Sequence, residues 1–385
     1  MSAALRPETW IKTTPAGLYC LPGDFYIDPL RPVARAVITH GHGDHARPGN
    51  DRVLATPGTI AIMQERYGEA AGGSLQPLRY GEAVTAGGVT VRLVPAGHVL
   101  GSAQIVLEYR GSRVVVSGDY KRRADPTCDP FEPRNCDAFI TEATFGLPVF
   151  RHPPDSQEID KLLHSLALFP ERCHLVGVYA LGKCQRVLAL LRRGGYEEPV
   201  YLHGALIKLT ELYESLGVRL GPVLPLIGIT RDTLKGRIVL APPGATADLW
   251  SRRLPDPVVA MASGWMRVRQ RAKARGVELP LVISDHADWD ELTATIDEVA
   301  AEEIWVDPWP RRGARPPRDQ KGPPSPRAGA RRLRGGRVNR FGPSPSSPDW
   351  IRGSAGPSLS PLTRGEGLLP CSPSPRLRGE DRGEG

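Results

Sequence analysis

The sequence predicts a layered α/β protein, and three observations predict it. Short β-branched runs such as Ala36-Val-Ile-Thr39 recur between segments of helical spacing. One such run leads directly into a loop that holds three histidines and an aspartate. From about Leu147 a second series of strand, glycine turn and helix begins, which reads as a small α/β layer inserted into a host fold.

The chain has 385 residues, enough for two domains or one large one. Its net charge of +8 favours a polyanionic partner, although much of the excess lies after residue 306. The six cysteines show no paired spacing, so a reducing cytoplasm is the expected location. No apolar segment follows a basic start, so no signal peptide is expected. No run is long and apolar enough to span a membrane, so no membrane partner is expected.

Thr14–Cys20 and Asp24–Asp28 read as the strands of a hairpin, with Asp28 before a proline-rich turn. Ala36–Thr39 is a buried strand that ends in His40-Gly-His-Gly-Asp-His45. Three imidazoles and a carboxylate in so short a loop are costly to bury unless a cation gathers them. Such donors suit zinc, manganese or iron, and the lack of a nearby cysteine argues against a structural zinc finger. The alternation suggests two sub-sites, His40 and His42 on one metal and Asp44 and His45 facing a second, with the glycines permitting a tight backbone. Thr56–Tyr67 has helical spacing, with Thr56 as cap and Pro57 at the first helical position. Val89–Pro95 alternates like a strand and delivers His98 at its end, where the first metal lacks a third imidazole. Gln104–Tyr109 and Arg113–Asp119 form a hairpin across Arg110-Gly111-Ser112. Tyr120-Lys121-Arg122-Arg123 follows, a group suited to a phosphodiester backbone or, equally, a solvated charge cluster. Cys136–Phe145 is a further strand that ends at Glu142.

Beyond Leu147 the sequence predicts a helix over Asp155–Leu168, a buried strand over Leu175–Ala180 and a helix opening at Leu181 and running through Arg193. Lys183 and Arg186 stand near that helix start, which suits an anion or an ordinary strand-to-helix junction. Val200–Gly204, Ala205–Leu216 and Arg237–Pro242 repeat the alternation, and Val258–Trp265 is one more strand. Met266–Gly276 carries Arg267, Arg269, Arg271, Lys273 and Arg275, spread around a helix rather than along one stripe. Leu279–Trp289 contains Ser284-Asp-His-Ala-Asp288, followed by a helix over Asp290–Ala301 and a strand over Glu303–Val306.

His40-Gly-His-Gly-Asp-His45, His98 and Ser117-Gly-Asp119 resemble the signature of the metallo-β-lactamase superfamily. Thr141-Glu-Ala-Thr-Phe145 and Ser284-Asp-His-Ala-Asp288 resemble two motifs private to its β-CASP nucleases. Gly17-Leu-Tyr-Cys20 and Gly23-Asp-Phe-Tyr-Ile-Asp-Pro29, with a shortened cap, are most similar to the bacterial DNA-ligase-associated exonucleases. The resemblance covers roughly residues 14–306 and implies an αββα sandwich with a small inserted α/β β-CASP domain. The implied domains are 1–146 and 266–306 for the sandwich and 147–265 for the insertion. It also implies two divalent ions, zinc or manganese. One is held by His40, His42 and His98, the other by Asp44 and His45, with Asp119 bridging. Asp28 braces the metal loop, and Glu142 pairs with His286 so that the imidazole keeps a proton. Lys121, Arg122, Lys183 and Arg186 are the candidate substrate contacts.

After Val306 the family pattern calls for one more histidine, within Thr-His-Gly, to complete the second metal site. Instead the chain continues as Asp307-Pro-Trp-Pro and an Arg/Pro/Gly/Ser-rich stretch, 307–385, whose composition predicts disorder. Codons for Asp-Pro-Trp (GAY-CCN-TGG), read one base downstream, permit ACC-CAT-GG, which encodes Thr-His-Gly. A single-base insertion near Val306 is therefore the expected cause, and a natural basic tail the alternative. Three functions compete. The first is a DNA exonuclease of repair that works with an ATP-dependent DNA ligase and a helicase, by two-metal phosphodiester hydrolysis, impaired if the last ligand is lost. The second is an RNA-processing nuclease of the ribonuclease J or polyadenylation-cleavage type. The third is a metal-poor pseudoenzyme that binds nucleic acid.

Overall fold

The alternating and β-branched runs pair into three sheets in the computed structural model, which describes residues 5–306 and a two-residue strand at 333–334. The first sheet follows a short helix, α1 (Pro7–Trp10), and contains β1 (Ile11–Thr14), β2 (Gly17–Cys20), β3 (Phe25–Ile27), β4 (Arg35–Val37), β5 (Arg52–Ala55) and β6 (Ser74–Pro77) in sequence order. The expected hairpin is β2 with β3; β1 adds an antiparallel strand in front of it. Pairing becomes parallel from β3 onward. Between β5 and β6 runs α2 (Pro57–Tyr67), whose first turn is capped as expected: the Thr56 hydroxyl accepts from the Thr59 amide at 3.1 Å, and Pro57 fills the first position.

The second sheet holds β7 (Ala83–Ala86), β8 (Val89–Pro95), β9 (Ala103–Tyr109), β10 (Ser112–Val116) and β11 (Ala138–Thr141). β7 to β10 are an antiparallel meander, and β11 is parallel to β10. The tight β9–β10 turn puts Arg110 and Gly111 both at positive φ, the geometry that matches the twist of a two-residue hairpin. The two sheets share one core. Leu18, Phe25, Ile27 and Val37 of the first meet Val91, Leu93, Ile105 and Ile140 of the second.

The third sheet is wholly parallel and spans β12 (His174–Gly177), β13 (Val200–Leu202), β14 (Val223–Pro225), β15 (Ile238–Ala241), β16 (Val258–Ala262) and β17 (Leu279–Leu281), in the order β14-β13-β15-β12-β16-β17. Helices α3 (Asp155–Leu168), α4 (Lys183–Arg193) and α5 (Gly204–Ser215) cover one face through Leu162, Leu188, Leu191, Leu206 and Tyr213. This is the expected α/β layer, but β17 lies beyond residue 265, so the layer continues past the point where the sequence ends the insertion. Of the basic segment Met266–Gly276 only α6 (Arg269–Ala274) is α-helical, after a 3₁₀ turn at Gly264–Arg267.

The chain returns through α7 (Trp289–Val299) to β18 (Glu303–Val306), which is parallel to β11 and pairs on its other side with β19 (Leu333–Arg334). Asp288 and Glu291 form a reciprocal capping box on α7. α2 packs Ile60 and Met63 on the outer face of the first sheet, and α7 packs Leu292 and Val299 on the outer face of the second. The layer order is therefore α2, sheet one, sheet two, α7, the expected αββα sandwich. The histidine expected after Val306, the frameshift and the predicted disordered tail fall outside the described residues, apart from β19.

The inserted layer is joined to the sandwich at a few defined points. One is the Tyr213 hydroxyl of α5, which accepts from the Leu100 amide at 3.2 Å. Tyr213→Phe keeps the ring packing but leaves that amide without an acceptor. The expected loss is about 1–3 kcal/mol of unfolding free energy, read as a lower urea midpoint at unchanged m-value.

Candidate metal centre

Strand β4 delivers Thr39 and His40 fully buried, beside Asp28 at the end of β3. Asp28 takes a left-handed backbone, φ +44°, which aspartate tolerates better than most residues. Its carboxylate accepts from the Thr39 amide (2.8 Å), the Thr39 hydroxyl (2.6 Å) and His45 Nδ1 (2.8 Å). Asp28 thus braces the loop through three donors, and one of them fixes the His45 ring.

The hydrogen-bond partners also fix the tautomers of the other three rings. The Thr39 hydroxyl spends its proton on Asp28, so at 3.0 Å it accepts from His40 Nδ1. His42 Nε2 lies 3.3 Å from the Leu181 carbonyl, and His98 Nδ1 lies 2.8 Å from the Asp285 carbonyl. A carbonyl only accepts, so both nitrogens carry hydrogen. The remaining nitrogens, His40 Nε2, His42 Nδ1 and His98 Nε2, are then lone pairs. They face one another: His42 Nδ1 is 3.1 Å from His40 Nε2 and 2.9 Å from His98 Nε2. Asp119 Oδ2 lies 3.7 Å and 3.9 Å from the His40 and His98 nitrogens. Burial drives the pKa values of His40 and His42 down and that of His98 to about 3, so added protons do not relieve the contact. One ligand atom from each of His40, His42, His98 and Asp119 lies within 4.8 Å of the other three. Three neutral imidazoles and a carboxylate are a donor set that fits a divalent zinc or manganese ion.

Asp119 leaves β10 through Ser117-Gly118. Gly118 has φ +57°, and a Cβ there would stand 2.8 Å from Thr39 Cβ, so glycine lets the carboxylate approach the histidine loop. On its other side Asp119 Oδ2 is 3.5 Å from His45 Nε2, which brings the expected second sub-site against the bridging position. Burial opposes charge on His45, but Asp119 and Asp28 outweigh it and raise its pKa well above the usual range. Asp44 stands outside the four-residue set. Burial would raise its pKa, yet the nearby His45 and His42 hold it below the usual carboxylate value.

Glu142, just past β11, meets His286 as expected. His286 Nδ1 lies 2.9 Å and 3.1 Å from the two carboxylate oxygens and 3.8 Å from Asp119. The Tyr120 amide (2.8 Å) and the Thr144 hydroxyl also donate to Glu142. Burial would lower the pKa of His286, but Glu142 and then Asp119 reverse this and raise it. His286 thus stands at the edge of the donor set with its charged form favoured by two carboxylates, its ring centroid 4.7 Å from that of His98.

Residues 28–173 match the sequence profile described as "Metallo-beta-lactamase superfamily". The chain is 31% identical over 301 residues to a protein of Opitutus terrae named "Probable DNA ligase", a match that takes in 75% of this chain and 28% of that protein. It is 29% identical over 223 residues to ribonuclease TTHA0252 of Thermus thermophilus, covering 50% of this chain and 51% of the relative. It is 30% identical over 148 residues to endoribonuclease YSH1 of Saccharomyces cerevisiae, covering 35% and 19%.

Three of the four candidate substrate contacts, Lys121, Lys183 and Arg186, are a correction. Lys121 is buried and donates to Glu291 (2.9 Å) and the His286 carbonyl (3.2 Å). Arg122 is held by Thr295 and Glu298 on α7. Lys183 is buried against Asp285 (2.7 Å), and Arg186 lies between Asp125 (2.7 Å) and Asp155 (2.8 Å). Lys121, Lys183 and Arg186 are consumed by internal acids, α4 being buried from Lys183 through Leu191, whereas the Arg122–Glu298 pair is part-exposed. The sequence reading assigned no role to Thr39 or Asp285. Asp285 had a visible signal, its place next to His286; the carbonyls of Leu181 and Asp285 have none, since every residue carries one. Arg186→Met leaves Asp125 and Asp155 without their cation. Chemical denaturation is expected to show a loss of about 3–5 kcal/mol, much more than an exposed arginine would produce.

Proposed function

From the membership of residues 28–173 in the metallo-beta-lactamase superfamily, we propose that this chain is a metal-dependent phosphodiesterase that degrades DNA as an exonuclease. The observation that carries the proposal is the convergence of three imidazole lone pairs beside Asp119, with the hydrogen-bonded Glu142–His286 pair next to them. On this reading His40, His42 and His98 hold one divalent ion, zinc or manganese. Asp44 and His45 face a second, and Asp119 lies between. When bound, such ions supply the positive charge that activates water and neutralises a phosphate under attack. The protein's own part is to present one lone pair from each of the three rings, to orient His45 through Asp28, and to favour a proton on His286. With Nδ1 committed to Glu142, His286 Nε2 is the atom from which a proton reaches the leaving oxygen.

DNA is favoured over RNA by the extent of the likeness. The protein named as a DNA ligase aligns with 75% of this chain, and the two ribonucleases with 50% and 35%. The aligned region is 28% of that ligase-named protein, which supports a role beside a DNA ligase. RNA processing is the second reading, supported by the names of the two ribonucleases. Among the described residues no helix is long and apolar enough to cross a membrane. Repair in the cytoplasm is the setting this reading implies.

The test is side-by-side digestion of end-labelled single-stranded DNA and RNA with manganese or zinc. The expected result is progressive shortening of DNA that stops on chelation and falls about 10²–10⁴-fold in His286→Ala. Cleavage of RNA alone would establish the second reading, and metal binding without cleavage of either would leave a nucleic-acid-binding role. The pH profile gives an independent check. A group whose folded pKa is raised keeps its proton until the pH passes that raised value, so activity that needs protonated His286 falls on the alkaline side. Glu142→Gln removes the largest influence that raises it, so the alkaline limb of kcat/KM should move to lower pH. An unmoved limb would take the proton-donor role away from His286.

A further inference from the structure

The four imidazoles are set from two different parts of the fold. His40 and His45 take their partners, Thr39 and Asp28, from the first sheet's own segments. His42 and His98 do not. Their acceptors are the carbonyls of Leu181 and Asp285, which follow strands β12 and β17 of the third sheet. Without those two carbonyls nothing selects which nitrogen of either ring presents its lone pair.

The segments that carry these two carbonyls are tied together by one side chain. Lys183 Nζ donates to Asp285 Oδ1 (2.7 Å) and to the Ile283 carbonyl (3.1 Å), so the start of α4 is fastened to the segment after β17. The turn that carries Leu181 is also pressed onto the His98 loop. Gly182 has φ +81°, and a Cβ there would lie 2.4 Å from Val99 Cγ1. Displacement of this turn therefore moves the acceptor of His42 and the anchor of Asp285 together.

We propose that Lys183 is a positioning residue for metal binding, and that the inserted layer and the metal site stabilise each other through the Leu181 and Asp285 carbonyls. The proposal rests on the metal-site reading above. An ion held by the three lone pairs would join His40, set from the first sheet, to His42 and His98, set by carbonyls of the layer. By linkage, whatever factor the docked layer adds to metal affinity, the metal adds to docking of the layer. Outer partners of ligating histidines typically change metal affinity 10–100-fold, which sets the scale.

Two measurements on the full chain test this. In the first, zinc and manganese affinities are obtained by competition with a chromophoric chelator for the wild type, Lys183→Met and Lys183→Arg. The expected result is at least about 10-fold weaker binding in Lys183→Met with an unchanged circular dichroism spectrum, and partial recovery in Lys183→Arg. In the second, amide hydrogen exchange of the wild type is followed with and without the ion alone. Slowing is expected at residues 178–186 and 283–287 as well as in the histidine loop. The second measurement needs no variant, so it stands if Lys183→Met fails to fold. Equal affinity in a folded Lys183→Met, or protection confined to the histidine loop, would overturn the proposal while leaving the metal site intact. Failure of the wild type to bind either ion would overturn the metal-site reading and this inference with it.

Discussion

Three imidazole nitrogens aim their lone pairs at one point, and the rest of the site is arranged around that repulsion. His40 and His98 are fully buried, and His42 is half-buried against them. Each ring's other nitrogen is bound to an oxygen that accepts, so a tautomer switch would cost a hydrogen bond in a dry interior. The arrangement therefore demands positive charge from outside the protein. Asp119 supplies the negative complement, and its own approach depends on the absence of a side chain at Gly118.

Around this centre the protein buries many charges, and it does so in matched pairs. Lys121 with Glu291, Lys183 with Asp285, and Arg186 with Asp125 and Asp155 all sit where the inserted layer or α7 meets the sandwich. Apolar residues of equal volume would often give as much stability. What the charged pairs add is direction. Lys121 also holds the His286 carbonyl, and Lys183 holds the carboxylate of the residue whose carbonyl orients His98. The cations that look in sequence like contacts for a phosphate backbone instead set the positions of the groups that would meet it.

That difference marks how far the sequence could be read. The sandwich, the third α/β layer and the groups gathered at the centre are legible because they depend on local pattern. Alternation fixes β8, a threonine–proline pair fixes the start of α2, and His40, Asp119, Glu142 and His286 each come soon after an apolar run with β-branched residues. β1 is missed because Ile11-Lys-Thr-Thr14 is half exposed and carries little apolar pattern. β17 was placed in the returning sandwich because a Leu-Pro-Leu strand says nothing about which sheet it joins. The roles of Lys183 and Arg186 were illegible for a related reason. Their acids are remote in sequence, and a basic residue at a helix start looks the same whether it faces solvent or a buried carboxylate.

The motifs are scattered along the chain, yet they share one topological position. Asp28 follows β3, His40 follows β4, His98 follows β8, Asp119 follows β10, Glu142 follows β11, Leu181 follows β12, and Asp285 and His286 follow β17. All lie beyond carboxyl ends of strands, and the three sheets are turned so that those ends meet. The carboxyl end of a strand is where an α/β sheet leaves backbone free to reach a ligand. β18 obeys the same geometry: Val306 pairs with Thr141, so the chain leaves the second sheet beside Glu142.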